Sequence, residues 1–182
     1  EETDLNVSIC LEEKISVLRT YVEKSMHAMS QPVMIYYRGP VVLPEHRKKK
    51  RSHKQFGLEI LGTQNSMAEA IVIKAALTIL AEEGFHDLAV NLNSAGDKDS
   101  TNRFLRELNS YYRKNLHDIS ADCRELFKED PLKLLSCPHE KCQKLAEEAP
   151  QSLNFLSESS RGHFREVLEY LESLEIPYNI NN

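Results

Sequence analysis

The chain of 182 residues contains 41% hydrophobic and 28% charged residues and has a formal net charge of −5 at pH 7. This composition is typical of a soluble globular domain, and the net negative charge argues against a protein that coats nucleic acid over its whole surface. The chain has no apolar run near the ~20 residues of a membrane-spanning helix. Its first residues, EETDLNVSIC, lack the pattern of a secretory signal. We therefore expect a cytoplasmic protein with no membrane partner.

The first third of the chain predicts a helix followed by a β-hairpin. Apolar residues recur at steps of three and four between Leu11 and Met29, which indicates an amphipathic helix that ends near Gln31. VMIYYRGPVVLPE is rich in β-branched and aromatic residues and predicts one strand, a break at Gly39-Pro40 and a second strand. Alternating apolar residues in QFGLEILG predict a third strand. A long basic loop is expected between residues 45 and 54.

The rest of the chain alternates helices with short strands. Ser66 and Glu69 form a capping-box pattern before a helix that stops at Gly84. Alternating apolar residues predict a strand near residues 88–92, and helical periodicity covers about 100–116 and 158–174. Short charged helices are expected from 118 to 150, and IPYNI is expected to be extended.

The basic loop has two interpretations from composition alone. Six of the eight residues from Arg47 to Lys54 are Lys or Arg. Such a loop between two strands can bind phosphate groups, as in several ATP-using folds. A charge run can equally be a solvated loop or a localisation patch.

Three cysteines and one histidine lie within 20 residues and are the candidates for a metal site. Cys123, Cys137, His139 and Cys142 follow the spacing C-x13-C-x-H-x2-C. Thiolates and an imidazole can form a tetrahedral zinc site, but this spacing lacks the close C-x2-C pair of common zinc motifs. The alternative is that the cysteines are small buried apolar residues. We expect no metal.

The order of these segments resembles the catalytic core of the histidyl-tRNA synthetases. YYRGP, QFGLEILG and LAVNLNSAGD are similar to successive strands of that core, and ETDLNVSICLEE is similar to the start of one of its helices. DCRELFKEDPLKLL through to IPY looks like the helical insertion of bacterial members. In relatives a second Cys often precedes this stretch, where Ser120 stands here, which reinforces the expectation of no metal.

The resemblance implies the α+β fold of class II synthetases, an antiparallel sheet with flanking helices and a helical insertion. It divides the chain into a partial core at 1–117, with the motif 2 hairpin at 33–62, an insertion domain at 118–174, and a strand at 175–182 that returns to the core. It also implies dimerisation and histidine, ATP, Mg²⁺ and tRNA as ancestral ligands.

Some ligand positions of the family are matched in this sequence. The resemblance assigns histidine binding to four residues and nucleotide binding to two others. The first set is Gln55, Glu59, Asp4 and Asn6, and the second set is Glu45 and Arg51.

Other positions of the family have changed. The motif 2 arginine that contacts the α-phosphate falls on Leu43, the phenylalanine that stacks under adenine falls on His53, and a further arginine falls on Leu11. One lost donor to the developing charge costs about 3 to 4 kcal/mol, or roughly 100- to 1000-fold in rate. Segments that resemble motifs 1 and 3 are missing from this sequence. We therefore expect no catalytic residues.

The resemblance and its departures together predict a pseudo-enzyme in a binding or regulatory role. One hypothesis is RNA binding, with tRNA as the first candidate, through Arg47, Lys48, Lys49, Lys50 and Lys54. A second is a histidine or nucleotide sensor. A third is a fragment of a functional histidine–tRNA ligase, and a fourth is a scaffold that associates with itself or with a protein partner.

Overall fold

The structure is a computed structural model that describes residues 15–42 and 52–181, without the side chains of 40–42 and 52–55. The chain forms two compact units that meet between His86 and Asp87 in the sequence. Each unit is described by itself below. Within the described residues, no helix is long and apolar enough to cross a membrane.

The first unit is a β-hairpin with helices before and after it. Helix α1 covers residues 15–23 of the described chain. Strands β1 (Val33–Val42) and β2 (Ser52–Leu61) pair antiparallel over their whole length, and α2 (Met67–Glu82) follows. Along β1 the side chains alternate between half-buried and exposed, as expected for a sheet with one covered face.

Three local predictions for this unit are wrong. The first helix ends at residue 23 rather than near Gln31, because Ser25 adopts a left-handed conformation with φ 51° and a 3-10 turn follows. Strand β1 continues through Gly39 and Pro40, because a proline without an N–H is tolerated on a strand with one paired edge. The predicted loop extends to residue 54, but β2 already begins at Ser52.

Helix α2 begins with a different capping hydrogen bond from the one that the predicted capping box implies. Ser66 precedes the helix but makes no side-chain capping hydrogen bond. Instead, the Met67 N–H donates to Asn65 Oδ1 at 2.9 Å. The predicted stop is confirmed, because the helix ends at Glu82 and Gly84 has the positive φ of 88° that glycine readily adopts.

The second unit contains four helices and a short two-stranded sheet. The helices are α3 (Lys98–Lys114), α4 (Ala121–Glu129), α5 (Glu140–Glu147) and α6 (Glu158–Ser173). Strand β3 (Val90–Leu92) pairs in parallel with β4 (Tyr178–Ile180), so the predicted extended IPYNI segment joins a sheet. Single 3-10 turns at Pro131–Leu134 and Ser152–Phe155 link the helices.

The core of the second unit is built on one face of α3. Phe104, Leu108 and Tyr112 recur at steps of four and are buried, as the predicted apolar side of this helix requires. Residues of the following segment, among them Ile119 and Leu134, pack into the same cluster. The mixed fold with a small antiparallel sheet and flanking helices is the predicted class, while the domain boundary after residue 117 stays a prediction.

Candidate functional site

A pocket of about 570 Å³ lies beside the hairpin in the first unit. Its walls come from β2, the turn after β2, α2 and one residue of β1. The lining side chains are Tyr37, Phe56, Gly57, Leu58, Glu59, Ile60, Thr63, Gln64, Asn65, Ala68, Glu69, Val72 and Ile73. A mostly apolar concave site with a few polar groups is typical of small-ligand sites.

Glu59 and Tyr37 contribute to the same face of the hairpin. In the strand register Ile35 stands opposite Glu59 and Tyr37 stands opposite Gly57, so all four positions lie on one face. Because Gly57 has no side chain, the ring of Tyr37 occupies the space over it. A carboxylate and a phenol ring are thereby placed two strand positions apart on the wall of the pocket.

The lining of the pocket carries negative charge and aromatic surface. Glu59 and Glu69 are its two charged residues, and both are acidic. Tyr37 and Phe56 supply two aromatic rings. This combination favours a small ligand with a protonated amine, because a carboxylate pairs with an ammonium group and an aromatic face attracts a cation.

The structure describes only part of the predicted ligand set. Glu59 lies in the pocket, and the backbone of Gln55 pairs with Gly39 in the same strand. The backbone of Lys54 lies in β2 opposite Pro40, although the sequence placed this residue in the loop. The side chains of Gln55 and Lys54 are outside the described part of the chain. So are all of Asp4, Asn6, Glu45, Arg47, Lys48, Lys49, Lys50 and Arg51.

Sequence reasoning missed Tyr37 and Asn65. Alternation along β1 indicates that Tyr37 lies on the same face of the strand as Ile35, so the sequence contained a signal for its place on this face. Its position opposite Gly57 follows from the pairing of the two strands. Asn65 lies in the pocket lining and also caps α2, which no spacing rule indicated.

A second group of chemically active side chains lies in the second unit. The thiol sulfurs of Cys123 and Cys137 are 3.6 Å apart, and His139 Nδ1 lies 3.5 Å and 3.2 Å from them, respectively. All three cysteines of this segment are buried, and His139 is exposed. The structure therefore brings three of the four predicted metal candidates together.

The environment of these thiols perturbs their acidity in opposite directions. Burial opposes ionisation of the Cys123 thiol, but hydrogen bonds with the Ser120 hydroxyl and the neighbouring thiols outweigh it and lower the pKa. Burial, followed by hydrogen bonds with Cys123 and Cys137, raises the pKa of Cys142 to about 12.

Comparison with known proteins gives one consistent result. The histidine–tRNA ligase of Desulforamulus reducens is 31% identical over 182 residues, which cover 98% of this chain and 43% of that protein. The histidine–tRNA ligase of Desulfitobacterium hafniense is 31% identical over 183 residues, covering 100% of this chain and 43% of the relative. No protein-family model matches the chain.

The structural comparison agrees with the sequence comparison. The crystal structure of apo Staphylococcus aureus histidyl-tRNA synthetase superposes with a TM-score of 0.65 at 28% identity, covering 91% of this chain and 38% of that one. This chain thus spans about two fifths of the length of the curated relatives that it matches. By sequence and by fold, it is a relative of the histidyl-tRNA synthetases.

Proposed function

We propose that this chain is a non-catalytic histidyl-tRNA synthetase-like protein whose hairpin pocket binds histidine. The observation that carries the proposal is the placement of Glu59 and Tyr37 on one wall of the pocket. The resemblance assigns position 59 to histidine binding, and the pocket provides the space and the charge for such a ligand. The proposed role is regulatory, because a protein that binds histidine without converting it can respond to the histidine concentration.

The chemistry of the lining fits an amino acid with a planar basic ring. The carboxylate of Glu59 can accept hydrogen bonds from an α-ammonium group or from an imidazole N–H. The ring of Tyr37 can pack against a planar ligand beside that carboxylate. An anionic ligand would meet two carboxylates, since Glu59 and Glu69 both line the pocket.

The same site lacks support for amino-acid activation. Formation of an adenylate develops negative charge on the α-phosphate, and the position that should supply an arginine there is Leu43.

A thermal-shift titration tests this proposal. L-histidine at millimolar concentration should raise the melting temperature of the chain, because a ligand that binds the folded state stabilises it. Glu59→Gln should abolish the shift, whereas Glu82→Gln, an exposed glutamate of α2 outside the pocket lining, should retain it. An unchanged melting temperature for the unsubstituted chain would refute histidine binding.

Exchange of pyrophosphate into ATP separates a binder from an active fragment. The proposal predicts no histidine-dependent exchange by this chain. Exchange above background would show instead that the chain is part of a functional histidine–tRNA ligase.

RNA binding through the basic loop is a second candidate function. The pairing of Val42 with Ser52 brings the two ends of the 43–51 segment together at one end of the hairpin. Five of the nine residues in this segment are Lys or Arg. A run of Lys and Arg on an otherwise acidic chain is a local positive charge that a phosphate backbone can contact.

A further inference from the structure

The ligand atoms of Cys123, Cys137 and His139 form a close triangle in the second unit. All three atoms lie within 4.8 Å of one another. The triangle joins parts of the chain that are separate in sequence, namely the first turn of α4 and the segment just before α5. Its edges are 3.6 Å between the sulfurs and 3.5 Å and 3.2 Å between each sulfur and Nδ1.

These separations match the edges of a tetrahedral zinc site. Zinc binds thiolate sulfur at about 2.3 Å and imidazole nitrogen at about 2.0 Å, so tetrahedral angles place two sulfurs about 3.8 Å apart and sulfur and nitrogen about 3.5 Å apart. The observed triangle is slightly smaller than this. A metal ion could therefore bind with a small outward movement of the three side chains.

Cys142 is available for the fourth position. Its thiol is buried in the first turn of α5 and belongs to the same buried cluster as Cys123 and Cys137. Cys142 and Cys123 each occupy the third residue of a helix. The N–H groups and the dipole at a helix N-terminus favour a thiolate, which is the form that binds metal, but burial raises the pKa of Cys142, so ionisation of this thiol would depend on the bound ion itself.

The surrounding side chains orient the ligands. The Ser120 hydroxyl donates to Cys123 Sγ at 3.0 Å and accepts from the Cys123 N–H at 3.3 Å, which fixes the thiol. His139 is the N-cap residue of α5 but its ring makes no capping hydrogen bond, so its Nδ1 faces the two sulfurs. Such outer hydrogen bonds are typical of metal sites.

Simple packing of small apolar residues explains less of this arrangement. A cysteine that serves only as a buried hydrophobe needs no imidazole nitrogen beside its sulfur. A disulfide between Cys123 and Cys137 would leave both Cys142 and the orientation of His139 without a role. We propose that Cys123, Cys137, His139 and Cys142 bind one structural zinc ion that ties α4 to α5.

Thiolate and imidazole ligands select zinc over the hard cations that prefer oxygen. Four protein ligands would leave no open position for substrate or water, so the ion would be structural. The ion would cross-link the beginnings of the two short helices α4 and α5. This inference is independent of the proposed histidine pocket, which lies in the other unit.

Metal analysis of the 182-residue chain provides the test. The chain, purified reduced and freed of metal, should bind one equivalent of added Zn²⁺, and zinc should protect three thiols from a thiol reagent. Co²⁺ in place of zinc should give the intense thiolate charge-transfer and visible bands of a tetrahedral site. No zinc binding by a folded, reduced chain, or three thiols that stay equally reactive with zinc, would overturn the proposal.

Matched variants locate the ligands. Cys123→Ser, Cys142→Ser and His139→Ala should each lose stoichiometric binding, whereas Cys10→Ser and His117→Ala should each retain one equivalent. Ser120→Ala, which removes the hydrogen bond to Cys123, should weaken zinc binding by about 10- to 100-fold. If a ligand variant does not fold, the titration and the Co²⁺ spectrum of the unsubstituted chain still decide the question. Binding that persists in all three ligand variants would refute this site.

Discussion

Tyr37 of β1 stands directly across from Gly57 of β2, and its ring occupies the space that a side chain at position 57 would need. A Cβ added to Gly57 would come within 2.6 Å of Tyr37 Cε1 and closer still to Cζ and Oη. This close approach places the ring beside Glu59 on the pocket wall. The shape of the proposed ligand site thus depends on the absence of a side chain at one position.

Gly57→Ala should therefore displace Tyr37 and damage the pocket. We expect a loss of about 1 to 3 kcal/mol in the free energy of unfolding, because overpacking forces side chains out of their preferred positions. Histidine binding should weaken in the same variant. Urea denaturation and the thermal-shift titration measure the two effects.

Two further variants control this prediction. Gly162 in α6 has open space where a Cβ would lie, so Gly162→Ala should stabilise the chain by about 0.5 to 1 kcal/mol, as Ala does in a helix. Combining Gly57→Ala with Tyr37→Ala should cost less than the sum of the single changes, because the clash is then removed. Strict additivity would mean that the two residues do not interact.

The adjacent tyrosines of α3 should respond oppositely to loss of their hydroxyl groups. Tyr111 Oη donates to the Leu145 carbonyl at 2.9 Å, whereas the buried Tyr112 Oη has no hydrogen-bond partner among the described residues. Tyr111→Phe should cost about 1 kcal/mol, and Tyr112→Phe should be neutral or stabilising by about 1 kcal/mol. Equilibrium unfolding of both variants checks this, and a cost for Tyr112→Phe equal to that of Tyr111→Phe would contradict it.

Asp97 should make the second unit sensitive to acid. Its carboxylate caps α3 by accepting from the Ser100 N–H at 2.8 Å, and it accepts from Ser157 Oγ at 2.6 Å. The hydrogen bond from Ser157, followed by those from Ser100, lowers the pKa of Asp97 well below its usual value. A group with a lowered folded-state pKa stabilises the fold above its unfolded pKa, here about 3.9, and loses that contribution as the pH falls further.

Melting temperatures measured between pH 2 and pH 6 test whether the stabilising contribution of Asp97 is lost in acid. Asp97→Asn should melt below the unsubstituted chain at pH 6, and the gap should narrow as the pH falls from 4 to 2. Asp99→Asn is the control, because Asp99 is exposed and contacts Arg103 Nε at 3.1 Å on the surface. A gap for Asp97→Asn that widens in acid would contradict the assignment.

RNA binding, if the basic loop provides it, should depend steeply on salt. Each phosphate contact contributes a slope of about −0.7 to −0.9 in a plot of log affinity against log salt. Replacing Lys48, Lys49 and Lys50 with Ala should make the slope shallower by about 2 to 3 and weaken tRNA binding. The matched variant, with Ala at the exposed positions Lys24, Lys74 and Lys128, should bind as the unsubstituted chain does. Equal loss in both variants would show that only net charge matters.

The sequence predicted most of the helices and strands because periodic burial determines them. The face of α3 that contains Phe104, Leu108 and Tyr112 follows directly from helical spacing. The break expected at Gly39-Pro40 was wrong, because turn propensity yields to strand pairing when the partner strand is in register. The propensities of a short segment do not show which other strand it pairs with.

The candidate sites were less predictable, because they depend on contacts between distant residues. The resemblance identified Glu59, but the position of Tyr37 over Gly57 requires the register of the hairpin. The metal candidates appeared unfavourable from their spacing alone. Their ligand atoms converge because α4 and α5 begin close together in space, which sequence separation does not encode.

Calorimetric titration with L-histidine tests the central claim most directly. The account predicts saturable binding to the unsubstituted chain, weakened at least about tenfold in Glu59→Gln, since a charged hydrogen bond of about 1.5 to 3 kcal/mol is lost. Glu82→Gln should bind as the unsubstituted chain does. No heat of binding at high protein concentration would contradict the claim that this chain retains a histidine site.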